Sequence, residues 1–194
     1  MRALPVAGIA ATAALMPVML LVATAGHHVM IAPMAHVVVV GAAGVLAAAA
    51  AMGMSLMAAR VNDGRTVLLG MAFSVMATML VVHALATPGA WIGANGLSQL
   101  AGALNIPAGA TILAASALPS LQRPRDARAL VSIQLAIVAA LLVGGVLALA
   151  DAASIPAVPQ PASDATRALF FIGAGALALL AWRAGRTYVL TRRV

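Results

Sequence analysis

The stretch ALVSIQLAIVAALLVGGVLALA, residues 129–150, decides how this chain is read. It carries no charge, and at 1.5 Å of rise per residue a helix of that length measures about 33 Å, the thickness of a bilayer's hydrocarbon core. Its apolar residues occupy every side of the helix, interrupted only by Ser132 and Gln134, so no face is left for water. Working outward, similar runs recur at 3–25, 34–59, 66–87, 96–121 and 167–188, with short polar breaks between them. The last is the weakest, because Arg167 and Arg183 bound its uncharged core and must reach outward to headgroups. Of the 194 residues 64% are hydrophobic and 8% charged, whereas a soluble domain has about a quarter of its residues charged. The expectation is all-α: one domain over residues 1–194, a polytopic bundle of about six transmembrane helices.

Charge fixes the expected orientation. The breaks alternate: Arg2 precedes the first run, no charge follows in 26–33, then come Arg60 and Arg65, then none in 88–95, then Arg123, Arg125 and Arg128. The positive-inside rule puts the arginine-bearing breaks in the cytoplasm. Asp151 and Asp164 lie in a Pro-rich outer connection, and Arg183, Arg186, Arg192 and Arg193 close the pattern inside, so both termini are expected to be cytoplasmic. A competing reading takes Arg2, the first apolar run and Ala23-Thr24-Ala25 as a cleaved signal peptide; that run is longer than the roughly 7 to 15 residues of a signal core.

The formal charge of +7 does not point to nucleic acid, because the eleven basic residues are all Arg, spread among the breaks, without a dense tract or interleaved aromatics. With no Cys there is no disulfide framework, thiolate metal site or cysteine nucleophile. The excess of Ala, Val and Arg over Lys and Glu resembles the usage of a GC-rich bacterial genome, which makes the bacterial cytoplasmic (inner) membrane the expected location.

Helices in lipid associate through close packing of small residues and a few polar bonds. Gly41, Gly44 and Ala48 in the second run, and Gly173, Ala174, Ala176 and Ala178 in the last, suit packing inside the bundle better than a dedicated dimer face. Pro107, with Asn105 beside it, is expected to kink the fourth run, and Gln99, Asn105 and Gln134 are expected to face the interior.

One constellation has the makings of a site. On this topology His27 and His28 lie at the outer end of the first run, His36 less than a turn into the second, and His83 about one turn from the outer end of the third. Consecutive helices with short connections are neighbours by default, so the four imidazoles are candidates to converge. Imidazoles without thiolate suit zinc, copper or another late divalent metal, while Met30 and Met34 nearby tilt toward Cu(I). Met16, Met19, Met76 and Met79 read as ordinary core. Against a cluster stands the alternative of single histidines hydrated at headgroup level. Haem b with His36 and His83 as axial ligands ranks below a bare ion, because three Phe, two Trp and one Tyr are a thin aromatic supply for a porphyrin.

The stretch Val82-His83-Ala84-Leu85-Ala86-Thr87-Pro88-Gly89, with Asn62-Asp63-Gly64-Arg65 before it and Asn95-Gly96 and Ser116-Ala117-Leu118-Pro119 after it, resembles the multi-helix membrane sensory region that precedes output domains in bacterial signalling proteins. The resemblance covers roughly residues 26 to 120. It implies histidine positions at His28, His36 and His83, and output domains such as nucleotide cyclases or kinases. This sequence ends at Val194 without one, so a signalling role is expected to need a separate membrane or cytoplasmic partner protein.

Other functions fit less well. No carboxylate lies within a span, and Asp63 and Asp126 beside Arg suit turns and caps, so an enzyme has little to work with short of metal-dependent chemistry on the histidines. A transporter would show intramembrane charge or internal repeats, and a channel a filter or a ring of charge, which here only oligomerisation could supply. The expectation is a membrane binding or sensory module with an outward-facing histidine cluster; its main rival is a structural subunit of a larger membrane complex that binds nothing.

Overall fold

A backbone in hydrocarbon must bond to itself, which for these sequences means helix. The computed structural model describes residues 32–116, 118, 121 and 127–156, together with single helical positions Met19, Ala168, Phe171, Ile172, Gly175, Ala178, Leu179 and Trp182. The chain divides into two units, Met1–Ala32 and Pro33–Val194. The first lies almost wholly outside the described residues, as do the expected span at 3–25 and most positions of that at 167–188.

Four helices, each long and apolar enough to cross a membrane, make up the described part: α1 (Pro33–Arg60), α2 (Gly64–Leu85), α3 (Leu97–Ala115) and α4 (Ala127–Ala150). A 3-10 turn, Ala152–Ser154, follows α4, and no β-strand occurs among the described residues. The four are the pattern of a membrane protein and match the expected runs at 34–59, 66–87, 96–121 and 129–150.

Their ends have local causes. Asp63 caps α2 by accepting from Thr66 N at 3.1 Å and from Thr66 Oγ1 at 2.6 Å. Helix α2 stops at Leu85 because Thr87 precedes Pro88, and a residue before proline avoids the helical region. Helix α3 is shorter than the expected 96–121: Ser116 Oγ bonds back to Leu113 O at 2.6 Å, and Pro119 follows shortly. Pro107 sits inside α3, and Thr111 Oγ1 donates to Pro107 O at 2.8 Å.

Helix α2 is the centre. It packs against α1, α3 and α4 and is far more deeply buried than any of them. Small residues permit this. A Cβ on Gly44 of α1 would come within 3.1 Å of Ala77 O, and one on Gly70 of α2 within 2.8 Å of Ala51 O and onto the Ser55 hydroxyl. Close backbones replace hydrophobic drive, which lipid does not supply. The outer faces of α1 and α4 carry exposed Val38, Leu46, Val143 and Leu147, suited to acyl chains.

Polar groups inside the bundle are few. Ser55 and Thr78 return their hydroxyl protons to Ala51 O and Ser74 O on their own helices. Gln134 of α4, fully buried, donates from Nε2 to Ser74 Oγ of α2 at 2.7 Å, as its expected inward position requires, while its Oε1 and the Oδ1 of Asn105 have no partner among the described residues. The expectation for Gln99 is corrected: it is exposed on the first turn of α3, where the helix end offers an amide water and headgroups.

Candidate metal centre

Two ends of the four-helix unit differ in chemistry. At one, Arg60, Arg65 and Arg128 are exposed, and Asn62, with φ of 55°, accepts from Ala127 N at 2.8 Å, tying the α1–α2 turn to the start of α4. There Thr66 and the nearby Arg65 hold the Asp63 carboxyl below its ordinary value. At the other end lie His36 and His83, with Asp151 as the only Asp, Glu, Lys or Arg among its described residues.

Pro33 opens α1 at the position where its missing N–H costs nothing, which puts His36 within the first turn. His83 falls in the last turn of α2. Gly41 lies against Ala84, 3.8 Å from a Cβ there to the alanine's own, so the two helices are close at this level. The imidazoles of His36 and His83 meet edge to face, ring centroids 5.5 Å apart and planes at 72°, and both are half-buried.

The His83 ring is held from α3. Its Nδ1 lies 2.8 Å from Ser98 O and 3.2 Å from Ser98 Oγ. A carbonyl only accepts, so Nδ1 carries the proton and the neutral ring's lone pair is on Nε2. Ser98 Oγ in turn donates to His83 O at 3.3 Å. Gly102 leaves the space that the ring fills: a Cβ there would stand 3.3 Å from Nδ1.

Ser98 is positioned by Asn95, which uses its whole amide. Oδ1 accepts from Leu97 N and Ser98 N at 3.1 and 3.3 Å, and Nδ2 donates to Ala86 O and Gly93 O at 3.0 and 2.9 Å. One side chain thus caps α3 and joins it to the end of α2. Trp91 Nε1 on Leu85 O at 2.9 Å, Gly89, with φ of 82° and its N–H on Ile92 O, and Gly96 N on Ile155 O at 3.0 Å complete the connection.

Of the four histidines expected to converge, His36 and His83 are together, and His27 and His28 lie outside the described residues, as does Met30. Among the described residues no three His, Cys, Asp or Glu gather as for a metal ion. Met34 is 47% exposed, and Met76 packs on Gly109 of α3, a core role. The residues sequence reasoning missed are Ser98, which acts through its backbone carbonyl, and Gly102. Asn95 left a signal, an Asn two residues before an apolar run.

Comparison with protein-family profiles, curated proteins and solved structures finds no match to the chain.

Proposed function

We propose that this chain is a multi-pass protein of the bacterial cytoplasmic membrane, with six spans and both termini inside, that works as a binding and sensory module. Its site is a transition-metal centre, for copper or zinc, at the outer end of the bundle, with His36 and His83 as its core. The arginine-rich and arginine-free ends of the four described helices support the orientation through the positive-inside rule.

The observation that carries the site is the His36–His83 pair with its ring bond to Ser98. An imidazole bound at about 2.0–2.1 Å puts its ring centre roughly 3.2 Å from the metal, so two on a tetrahedral centre stand about 5.2 Å apart. The observed separation is 5.5 Å. The carbonyl on His83 Nδ1 is the outer-shell partner that metal-bound histidines ordinarily have, and it leaves Nε2 as the ligating atom. Axial ligation of one haem iron would put the ring centres about 6.4 Å apart with a porphyrin between them, and rings in edge-to-face contact leave no room for one. A sensory role rests on the resemblance of residues 26 to 120 to bacterial membrane sensory regions, with a separate partner protein carrying the output.

X-ray absorption on the full-length protein loaded with copper or zinc tests the site. Scattering from at least two imidazoles at about 2.0–2.1 Å is expected. A shell of light atoms without imidazole scattering would contradict it.

A further inference from the structure

Helix α2 packs against both α3 and α4, but α3 and α4 do not pack along one another. Between them runs a groove of about 170 Å³, floored by Met79 and Val82 of α2 and walled by Leu100 and Leu104 of α3 and Gly144 and Gly145 of α4. Its lining is aliphatic, and it lies within the span of the helices, where the surrounding solvent is acyl chain. One turn further along α4, about 6 Å above Gly145, a second recess of about 250 Å³ lies between the Ile92–Asn95 connection and the Leu149–Ala153 segment. Asp151 lines that recess. Its carboxylate is exposed and has no hydrogen-bond or ion-pair partner among the described residues, and no Lys or Arg occurs at this end among them.

An aliphatic slot beneath an unpaired carboxylate has the polarity of an amphiphile with an alkyl tail and a cationic head. We propose that α3 and α4 hold one phospholipid with a primary-amine headgroup, its tail along Met79 and Gly144 and its ammonium on Asp151. A primary ammonium brings a full positive charge and three donors to a carboxylate that lacks both. An anionic headgroup would meet only repulsion there. The site is independent of the histidines and of any metal.

The test is lipid retention by the full-length protein, purified in detergent and equilibrated with equal amounts of phosphatidylethanolamine and phosphatidylglycerol of the same chains, then read by native mass spectrometry. About one lipid per chain is expected, with the amine lipid favoured about two- to fivefold, the range of an exposed ion pair. Asp151→Asn is expected to erase the preference while keeping the lipid. Gly144→Leu is expected to displace both lipids without unfolding, since a Cβ at Gly144 meets nothing within 4 Å. Equal retention of the two headgroups by wild type, or full retention by Gly144→Leu, would overturn the proposal. So would quantitative cross-linking of Gly144→Cys, the sole thiol in a chain without cysteine, to a second copy or to residues 157–194, because a protein segment would then fill the groove.

Discussion

The backbone carbonyl of Ser98 on α3 accepts from His83 Nδ1 on α2 at 2.8 Å, and this bond leaves the lone pair of the neutral His83 ring on Nε2. Because the acceptor is main chain, Ser98→Ala keeps the tautomer. What the site depends on at Ser98 is the position of its peptide, which Asn95 sets.

Gly102 sets the ring's lateral freedom. Gly102→Ala places a methyl 3.3 Å from Nδ1 and pushes the imidazole off its carbonyl. Metal affinity is expected to fall about tenfold, the scale of a lost outer-shell contact, with ligands intact. Gly93→Ala is the control, since a Cβ at Gly93 meets nothing within 4 Å. Equilibrium titration of the three proteins with Zn(II) checks this; equal affinities would refute it.

The buried amide of Gln134 offers a test of interior polarity. Ser74→Ala strands Nε2 beside an Oε1 that already has no partner, and should cost about 1–2 kcal/mol. Gln134→Leu removes donor and orphan together at similar volume, and should cost less. The double variant should follow Gln134→Leu. Thermal unfolding in detergent ranks them, and a larger loss for Gln134→Leu than for Ser74→Ala would contradict the account.

Close approach of α1 and α2 predicts a sharp contrast between glycines. Gly70→Ala drives a Cβ to within 2.8 Å of Ala51 O and onto Ser55, a cost of about 1–3 kcal/mol. Gly53→Ala meets open space and should raise stability by up to about 1 kcal/mol through helix propensity. Equal responses in a thermal melt would mean that the helices do not pack as described.

Asp63 links stability to pH outside the spans. Its folded-state carboxyl is held below the ordinary value, chiefly by Thr66, so the stability it contributes is complete above the unfolded value and is lost as pH falls through the depressed folded one. Asp63→Ala should cost about 1 kcal/mol near neutral pH, as for a lost cap. The gap to wild type should narrow on acidification from about pH 6 to about pH 3. A gap that stays constant would contradict the assignment.

Where helices form was legible from hydropathy, because lipid-soluble runs of the right length have one solution. Which helix is central was not. The spans α1, α2 and α4 are closely matched in hydropathy, and what distinguishes α2 is packing on three sides: Gly70 and Ala77 against α1, Met76 against α3 and Ser74 against α4. The inward side of Gln134 followed from the cost of an unpaired amide; the same rule misplaced Gln99, because it holds mid-membrane and weakens at a helix end. The shared depth of His36 and His83 was readable from turn lengths. The Ser98 carbonyl was not, since every residue has one and only the fold selects which meets an imidazole.

The most direct test of the central claim is elemental analysis with an absorption spectrum on detergent-purified wild type, His36→Ala and His83→Ala, as isolated and after exposure to copper or zinc. Wild type is expected to hold about one copper or zinc per chain with no Soret band, and both variants are expected to lose the metal with the fold retained. Wild type that stays metal-free after loading, or variants that keep the metal in full, would contradict the claim and leave a packing subunit as the better reading.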